Sequence, residues 1–274
     1  MNRRDTMIQI AQDSIEISKK GEYQIGNRLY RFDTANDTKL FVSMEEVINE
    51  VKKKAKVGHP FIEVVNEGTV DAIFRLSKNK QKNLSLGVLN FASAYNPGGG
   101  FESGAMAQEE CLAYCSDLFM KQTTGEGKEY YEINRRKNNP IYTDTMFMSN
   151  VTFFRNSRFN LVSNPTMCNV LTCPAVNIGA LRGRVGTDMN FAKETMKNRM
   201  RKILYLFAYY GCEELILGAF GCGVFGNNPE DVARNWFELL FDEGLGDYFK
   251  YISFSIIDRN GRDSNINIFN EFFI

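Results

Sequence analysis

Residues 84–91 form the apolar run LSLGVLNF, which leads through a glycine-rich loop at residues 96–107 into QEE at positions 108–110. A short apolar run of Leu, Val and Phe is consistent with a buried strand. The loop, called here the first glycine loop, separates this strand from a helix predicted over residues 108–120. In open α/β sheets, ligands bind beyond the carboxyl ends of the strands. The stretch therefore predicts an α/β fold with a ligand site at this loop.

A second stretch, nearer the C-terminus, has the same order of strand, glycine-rich loop and helix. A strand predicted over residues 214–217 enters the second glycine loop, residues 218–228, and Pro229 then suits the first turn of a helix. Backbone N–H groups in such loops, next to a helix N-terminus, bind phosphate oxygens readily. Two such loops favour a ligand site over two unrelated tight turns.

The remaining pattern alternates short strands with amphipathic helices. Further strands are predicted over residues 29–32, 61–65, 146–154, 170–173 and 251–257, and helices over residues 69–77 and 188–210, after an opening helix that ends at Gly21. This alternation predicts one α/β domain with helices on both faces of a mixed sheet. Residues 121–140, KQTTGEGKEYYEINRRKNNP, are strongly polar, and we expect them to form a long excursion or lid rather than core.

The composition excludes several classes of protein. The chain has 274 residues with 33 Lys and Arg against 33 Asp and Glu, so its formal net charge is zero. Neutrality argues against a protein that holds DNA mainly through a net positive field. The single histidine, His59, excludes a multi-histidine metal site, and the six cysteines contain no C-x-x-C pair.

We expect a cytoplasmic protein with reduced thiols. Residues 1–20 carry charges without an apolar run and do not resemble a signal peptide. No stretch of about 18 apolar residues is present that would cross a bilayer. The cysteines lie in apolar segments of a chain large enough to fold without disulfides.

Two adjacent carboxylates, Glu109 and Glu110, follow the first glycine loop. In a partly dry cleft they would repel each other, so the pKa of one should rise until it keeps a proton near neutrality. A protonated carboxylic acid beside a sugar is the general acid of glycoside cleavage. Glutamates are also common in the first turn of a helix, where they are solvated and favoured by the helix dipole. The residues alone leave both interpretations open.

The segment VLNFASAYNPGGGFESGAMAQEECLAYCSDLF, residues 88–119, resembles the signature of microbial-type poly(ADP-ribose) glycohydrolases. These are macrodomain proteins with a G-G-G-x(6–8)-Q-E-E loop, and seven residues separate GGG from QEE here. Residues 173–181 (CPAVNIGAL) and 217–229 (LGAFGCGVFGNNP) are also similar to the family, in the same order. The resemblance implies a single macrodomain-like, three-layer α/β/α domain over residues 1–274. Residues 1–60 would be an N-terminal helical extension and residues 61–274 the macrodomain core.

The resemblance implies hydrolysis of the ribose–ribose O-glycosidic bond of poly(ADP-ribose), which releases ADP-ribose without a metal or another cofactor. It implies that Glu110 protonates the leaving ribose hydroxyl and then deprotonates the attacking water, while Glu109 orients the ribose. Phe225 would pack on the terminal ribose, and Phe254 would either stack on adenine or lie in the core. The implied substrate-binding residues are Gln108, Gly98, Gly99, Gly100, Asn90, Asn96, Gly221, Gly223, Val224, Phe225, Gly226, Asn227 and Phe254.

Two other functions remain open. A macrodomain that only binds ADP-ribose or ADP-ribosylated protein would share the fold, but it would not need the pair Glu109 and Glu110. A hydrolase of another ADP-ribosyl conjugate, such as a mono-modified side chain or a nucleobase, would use the same acid and the same contacts. The expected partners are poly(ADP-ribose) or ADP-ribosylated protein as substrate and ADP-ribose as product, with no membrane and no direct DNA binding.

Overall fold

The computed structural model describes residues 2–78, 80–186, 188–258 and 265–274. Its helices are α1 (Arg3–Lys20), α2 (Glu45–Val51), α3 (Thr69–Ser77), α4 (Gln108–Cys115), α5 (Leu118–Thr123), α6 (Gly125–Lys137), α7 (Ile178–Leu181), α8 (Met189–Tyr209), α9 (Pro229–Phe237) and α10 (Asn265–Phe273). Its strands are β1 (Glu22–Ile25), β2 (Arg28–Arg31), β3 (Lys39–Phe41), β4 (Phe61–Val65), β5 (Lys82–Phe91), β6 (Met146–Arg155), β7 (Leu161–Cys173), β8 (Glu214–Leu217) and β9 (Tyr251–Ser255).

A mixed sheet lies at the centre of the described structure, with seven strands in the order β3–β6–β7–β5–β8–β9–β4. The strands β7, β5, β8, β9 and β4 run parallel to one another. The strand β6 is antiparallel to β7, and β3 is antiparallel to β6. Because parallel strands end at one edge of a sheet, both glycine loops leave the sheet side by side, the first after β5 and the second after β8.

Alternate side chains of the central strands divide the core between the two faces of the sheet. On β8, Leu215 and Leu217 belong to the cluster formed with α2, α8 and α9, whereas Ile216 packs on the other face with α1, α3 and α4. At Gly87 of β5, an added Cβ would lie 2.6 Å from the ring of Phe207 on α8. Helices therefore cover both faces, and the α/β fold predicted from the sequence is confirmed.

Local signals in the sequence set where several of these elements begin and end. The helix α1 starts after Asn2, whose side chain accepts a hydrogen bond from the Asp5 N–H, and ends at Gly21 with φ of +67°. The helix α9 starts with Pro229 after Asn228, whose side chain accepts from two N–H groups of the first turn. The predicted strands at residues 61–65 and 214–217 and the predicted helix at residues 69–77 have the bounds of β4, β8 and α3.

The helix predicted over residues 108–120 is wrong, because the chain breaks there into α4 and α5. Ser116 has an extended conformation and forms a bridge with Phe153 of β6. The Asp117 N–H donates to the Thr152 carbonyl, and the Thr152 N–H donates to Asp117 Oδ1 (2.8 Å). At Ser116 and Asp117, contacts with β6 therefore take the place of the helix.

Residues 121–140 are not an excursion or lid. They contain the end of α5 and all of α6, and Gln122, Tyr130 and Tyr131 are almost completely buried. The two tyrosines pack with Phe147 of β6 in a small cluster of their own. Buried aromatic rings and the buried, hydrogen-bonded side chain of Gln122 therefore hold this polar segment against the sheet.

The boundary expected at residue 60 does not coincide with a break in the packing. The strand β3, within residues 1–60, forms one edge of the central sheet. The helix α2 contributes Val47 and Val51 to the core that covers β8. In the described part of the chain, none of the helices is long and apolar enough to cross a membrane.

Candidate active site

The helix α4 is attached to the end of β5 by its first residue, Gln108. Its Nε2 donates to the Leu89 carbonyl oxygen (2.8 Å), and its Oε1 accepts from the Phe91 N–H (2.9 Å). A third bond joins Nε2 to the Thr69 hydroxyl (3.2 Å). These contacts hold the helix start against the strand end, and they fix the direction of the two glutamates that follow.

Glu109 is 4% exposed and is surrounded by hydrogen-bond donors. The Ser93 N–H donates to its Oε2 (2.7 Å), while Gln122 Nε2 (2.8 Å) and Asn90 Nδ2 (3.3 Å) donate to its Oε1. Burial raises the pKa of Glu109 to about 8, although the three donors favour the carboxylate and oppose the rise. Glu109 therefore keeps a proton near neutrality.

Glu110 is 8% exposed, and each of its carboxylate oxygens accepts one backbone hydrogen bond. The Gly100 N–H donates to Oε1 (2.9 Å), and the Ala107 N–H, just before α4, donates to Oε2 (2.9 Å). Gly99 has φ of +60°, and a Cβ at this position would overlap Glu110 Oε1. Position 99 therefore needs glycine both for its backbone conformation and for the close approach of the carboxylate.

The three glycine N–H groups of the first glycine loop already form hydrogen bonds within the protein. The N–H groups of Gly98, Gly99 and Gly100 donate to Gln122 Oε1 (2.7 Å), the Asn96 carbonyl (2.9 Å) and Glu110 Oε1 (2.9 Å). Gly98 is also buried. The resemblance implies that these three glycines bind substrate, but contacts from their N–H groups to a diphosphate would require these bonds to break.

In the second glycine loop, unlike the first, three successive backbone N–H donors remain available. Within the described part of the chain, the N–H groups of Gly223, Val224 and Phe225 form no hydrogen bond. Asn227 closes the loop, because its N–H donates to the Gly221 carbonyl (3.1 Å) and its Nδ2 to the Val176 carbonyl (2.8 Å). Successive N–H groups of this kind, next to the N-terminus of α9, suit a phosphate group.

Three aromatic side chains, called here the aromatic row, connect the two loops. The ring of Phe225 lies 5.8 Å from that of Tyr142, which in turn lies 5.2 Å from that of Tyr95. Tyr142 has φ of +60°, an uncommon value for a residue other than glycine, and Asn177 Nδ2 donates to its hydroxyl (3.2 Å). The buried Arg199 donates to the Ile141 carbonyl (2.9 Å), which fixes the segment that carries Tyr142.

Two adjoining cavities lie at this edge of the sheet. The glutamate pocket, of about 250 Å³, is lined by Glu109, Glu110, Gly99 and Phe225. The wide cleft, of about 690 Å³, is lined by Glu67, Thr69 and Ile257. The residues that line both cavities are Phe91, Ala107, Gln108 and Ala219. One elongated ligand could therefore occupy both cavities.

Two of the expected site residues, Asn90 and Phe254, are too deeply buried to contact a ligand. Asn90 is fully buried and donates to Glu109 and to the Thr172 hydroxyl (3.2 Å), so it acts on Glu109 rather than on substrate. Phe254 has no exposed surface, and its ring packs 4.4 Å from Phe273 and 5.2 Å from Phe269. Adenine cannot reach it, so the core is the correct interpretation. Asn96 is exposed at the start of the first glycine loop.

The structure adds Gln122 and Tyr142 to the site. Gln122 lies in the polar segment expected to be a lid, and nothing in that segment's composition distinguishes it from the polar residues beside it. Tyr142 follows Pro140 in a stretch without periodicity. Among the described residues, no group of three or more His, Cys, Asp or Glu side chains is arranged to hold a metal ion.

The model of one protein family matches residues 4–156, more than half of the chain. Its description is the microbial-type PARG catalytic domain, where PARG stands for poly(ADP-ribose) glycohydrolase. The chain belongs to this family. It is an enzyme of the glycosidase class, and the family expected from its first glycine loop is confirmed.

Solved structures of PARGs are similar to this chain over most of their length. The PARG of Thermomonospora curvata is 30% identical, covers 98% of this chain and 100% of its own, and has a TM-score of 0.89. The same protein bound to the inhibitor ADP-HPD is 31% identical over 98% and 99%, with a TM-score of 0.86. Deinococcus radiodurans PARG in complex with ADP-ribose is 34% identical over 86% and 93%, with a TM-score of 0.78. A comparison with curated protein sequences gives no significant match.

Proposed function

We propose that this PARG hydrolyses the ribose–ribose O-glycosidic bond of poly(ADP-ribose), with Glu110 as general acid and base. The observation that carries the proposal is one pocket lined both by two buried glutamates and by the second glycine loop with its available N–H groups. A general acid and an anion-binding loop are what the hydrolysis of a sugar attached to a diphosphate requires. The complex of the Deinococcus radiodurans PARG with ADP-ribose supports the choice of ligand.

The two cavities accommodate the parts of ADP-ribose in order. The terminal ribose would occupy the glutamate pocket beside Phe225, and the diphosphate would accept hydrogen bonds from Gly223, Val224 and Phe225. The adenosine would then extend into the wide cleft, which continues from the glutamate pocket and has more than twice its volume. The diphosphate thereby holds the substrate by its charge, while the reacting sugar is placed against the carboxylates.

The chemistry assigns a different role to each glutamate. Glu110 donates a proton to the leaving ribose oxygen as the bond from that oxygen to C1″ breaks through an oxocarbenium-like state. Its carboxylate then takes a proton from the water whose oxygen bonds to C1″. One water is consumed, and ADP-ribose and a shortened polymer are released. Glu109, protonated and held by Ser93 and Gln122, orients a ribose hydroxyl.

The test compares wild type with Glu110→Gln, a substitution of nearly equal shape. Both proteins are incubated with poly(ADP-ribose)-modified protein, and released ADP-ribose is quantified by chromatography, while calorimetry measures ADP-ribose binding. We expect wild type to release ADP-ribose and Glu110→Gln to bind it but to lose at least about a thousandfold in rate. Cleavage by the variant at near the wild-type rate would show that the acid is a different group.

The same release assay, repeated with a mono-ADP-ribosylated protein as substrate, separates the two other functions. Binding of ADP-ribose by wild type, without release from any substrate, would indicate a module that only recognises ADP-ribosylated protein. Release from a mono-ADP-ribosylated side chain, but not from polymer, would indicate a hydrolase of another conjugate. The pair of buried carboxyl groups, Glu109 and Glu110, favours hydrolysis over recognition alone, since binding needs no general acid.

We also propose that the enzyme acts in the cytoplasm on ADP-ribosylated proteins and does not bind DNA directly. The buried thiols of Cys115, Cys168 and Cys173 are free, which suits a reducing compartment. The formal net charge of zero is consistent with a substrate held at a local anion site rather than by a general positive field. Fractionation of the source cells, with detection by antibody, tests the location.

A further inference from the structure

One arginine of α8, Arg199, is completely buried although it lies on the apolar side of the helix. Met196 and Ile203, about one turn before it and one turn after it, belong to the core, and Arg199 itself has no exposed surface. Removing a cation from water in this way is costly, and apolar side chains of similar volume often give equal or greater stability. The contacts of Arg199 must therefore account for a charged side chain at this position.

The guanidinium group of Arg199 connects the segment after β7 with the segment before β6. Its Nη1 donates to the Pro174 carbonyl (2.9 Å), just after β7. Its Nη2 donates to the Ile141 carbonyl (2.9 Å), and both Nη2 (2.9 Å) and Nε (3.1 Å) donate to Asp144 Oδ1, just before β6. Because the N–H donors of a guanidinium group lie in one rigid plane, these bonds set the spacing of the two segments.

Both segments support residues of the glutamate pocket. The residue directly after one of the two bound carbonyls is Tyr142, whose ring lies 5.8 Å from that of Phe225. The residue directly after the other is Ala175, which lines the glutamate pocket and lies against Gly221 of the second glycine loop. An added Cβ at Gly221 would be only 2.5 Å from the Ala175 Cβ. One buried side chain therefore reaches both the support of the Phe225 ring and the base of the second glycine loop.

We propose that Arg199 is a positioning residue for the hydrolysis, which holds Tyr142 and Ala175 at the spacing that keeps Phe225 against the terminal ribose. Arg199 lines neither cavity, so it acts through these residues and does not contact the substrate. This inference rests on the proposed hydrolysis of polymer. The contribution of Arg199 belongs to kcat rather than to KM, because the placement of the reacting ribose matters most in the transition state.

The variant Arg199→Lys tests the inference, because lysine keeps the charge but cannot bind both carbonyls and Asp144 from one planar group. Lys202 also donates to Asp144, so that carboxylate stays paired in the variant. With poly(ADP-ribose) as substrate, we expect kcat to fall about tenfold and KM to change less than about twofold. In Arg199→Lys/Tyr142→Leu, the loss of kcat should stay well below the product of the two single losses, since both substitutions remove the same support of Phe225.

The control is Arg155→Lys, at another buried arginine, which donates to the Phe159 carbonyl (2.8 Å) and pairs with Asp13 of α1. Phe159 lines the wide cleft but not the glutamate pocket, so we expect this variant to lose stability in urea, as Arg199→Lys does, and to keep the wild-type kcat. An unchanged kcat in Arg199→Lys, an equal loss in the control, or losses that multiply in the double variant would overturn the inference. If wild type releases no ADP-ribose from polymer, the proposed hydrolysis fails, and the inference fails with it.

Discussion

Gln122 donates a hydrogen bond of 2.8 Å from its Nε2 to Oε1 of Glu109, and both side chains are buried. The other end of the Gln122 amide, Oε1, accepts from the Gly98 N–H (2.7 Å). A backbone N–H can only donate, so the orientation of the amide is fixed and its NH₂ group must face Glu109. One side chain thus sets both the position of the first glycine loop and the hydrogen bonding of the ribose-orienting glutamate.

We therefore expect Gln122→Leu to lower activity more than its loss of stability explains. The substitution leaves the Gly98 N–H and Glu109 Oε1 without this partner, at a cost of about 1–3 kcal/mol in the free energy of unfolding. Because the lost donor favours the carboxylate, the pKa of Glu109 should rise further. The measurements are denaturant unfolding and kcat over a range of pH, at a temperature where the variant is folded.

Two further variants show whether the effect is specific. Asn169→Leu removes another buried amide, which donates to the Leu84 carbonyl (2.7 Å) near the start of β5, and should reduce stability but not kcat. Gln122→Glu can still donate to Glu109 when it is protonated, so we expect it to recover activity as the pH falls. Equal kcat for Gln122→Leu and wild type would show that Gln122 only supports the fold.

The buried carboxyl group of Glu109 predicts a pH dependence of stability. Burial raises its pKa from 4.5 to about 8, so between these values the folded chain keeps a proton that the unfolded chain has released. The free energy of unfolding must then decrease as the pH rises, by at most about 1.4 kcal/mol per pH unit. Glu109→Gln has no proton to lose, and we expect its stability to fall less steeply between about pH 5 and pH 8.

Comparison of wild type with Glu109→Gln isolates the contribution of Glu109 to the pH dependence of stability. Burial also raises the pKa of Asp117 to about 7, which gives both proteins a slope of the same sign. The difference between their urea-unfolding free energies, followed against pH, removes that shared contribution. A difference that stays constant across the whole range would show that Glu109 is ionised in the folded enzyme at neutral pH.

Much of the fold follows from the sequence, because its parallel strands are short apolar runs bounded by turn residues. The signals for β4, β8 and α3 are local, and these elements were predicted with the observed bounds. The break between α4 and α5 could not be predicted in this way, because it arises from pairing between Ser116 and Phe153, which is 37 residues away in the chain. The burial of α6 depends in the same way on contacts with β6.

The candidate site, too, was predictable from the sequence only where the signal is local. The pair Glu109 and Glu110 stood out because it follows a glycine-rich loop, and the structure places both in one pocket. Which glutamate has the raised pKa depends on burial and on donors such as Gln122, which the sequence does not order in space. The resemblance left Phe254 either on adenine or in the core, and the structure places its ring in the core against Phe273 of α10.

Gly99→Ala should inactivate the enzyme by displacing Glu110. The new Cβ would overlap Glu110 Oε1 and lie 3.2 Å from Glu109 Oε2. A shift of the acid by about 1 Å is expected to reduce kcat about a hundredfold. Gly211→Ala is the matched control, because Gly211 has φ of +71° and no atom within 4 Å of an added Cβ. The left-handed backbone alone should cost each variant about 1–2 kcal/mol of stability, and a similar kcat for the two would contradict the close contact.

Tyr142 should matter for turnover through Phe225, although it does not line the glutamate pocket. Its ring supports that of Phe225 at 5.8 Å, and Asn177 fixes its hydroxyl. Tyr142→Leu removes this support, so we expect kcat to fall about tenfold with little change in KM, since ribose placement matters most in the transition state. Tyr142→Phe keeps the ring and should retain most of the activity. Steady-state kinetics on polymer measures both variants.

The control for Tyr142 is Tyr23, another buried tyrosine that lines neither cavity. It is 5% exposed, its ring lies 5.4 Å from that of Tyr30, and its hydroxyl donates to the Val162 carbonyl (2.8 Å). Tyr23→Leu should therefore lower the melting temperature without a change in kcat. If the two leucine variants lose stability and kcat in the same proportion, Tyr142 is part of the general core. A kcat loss confined to Tyr142→Leu means that the row positions Phe225 for the reaction.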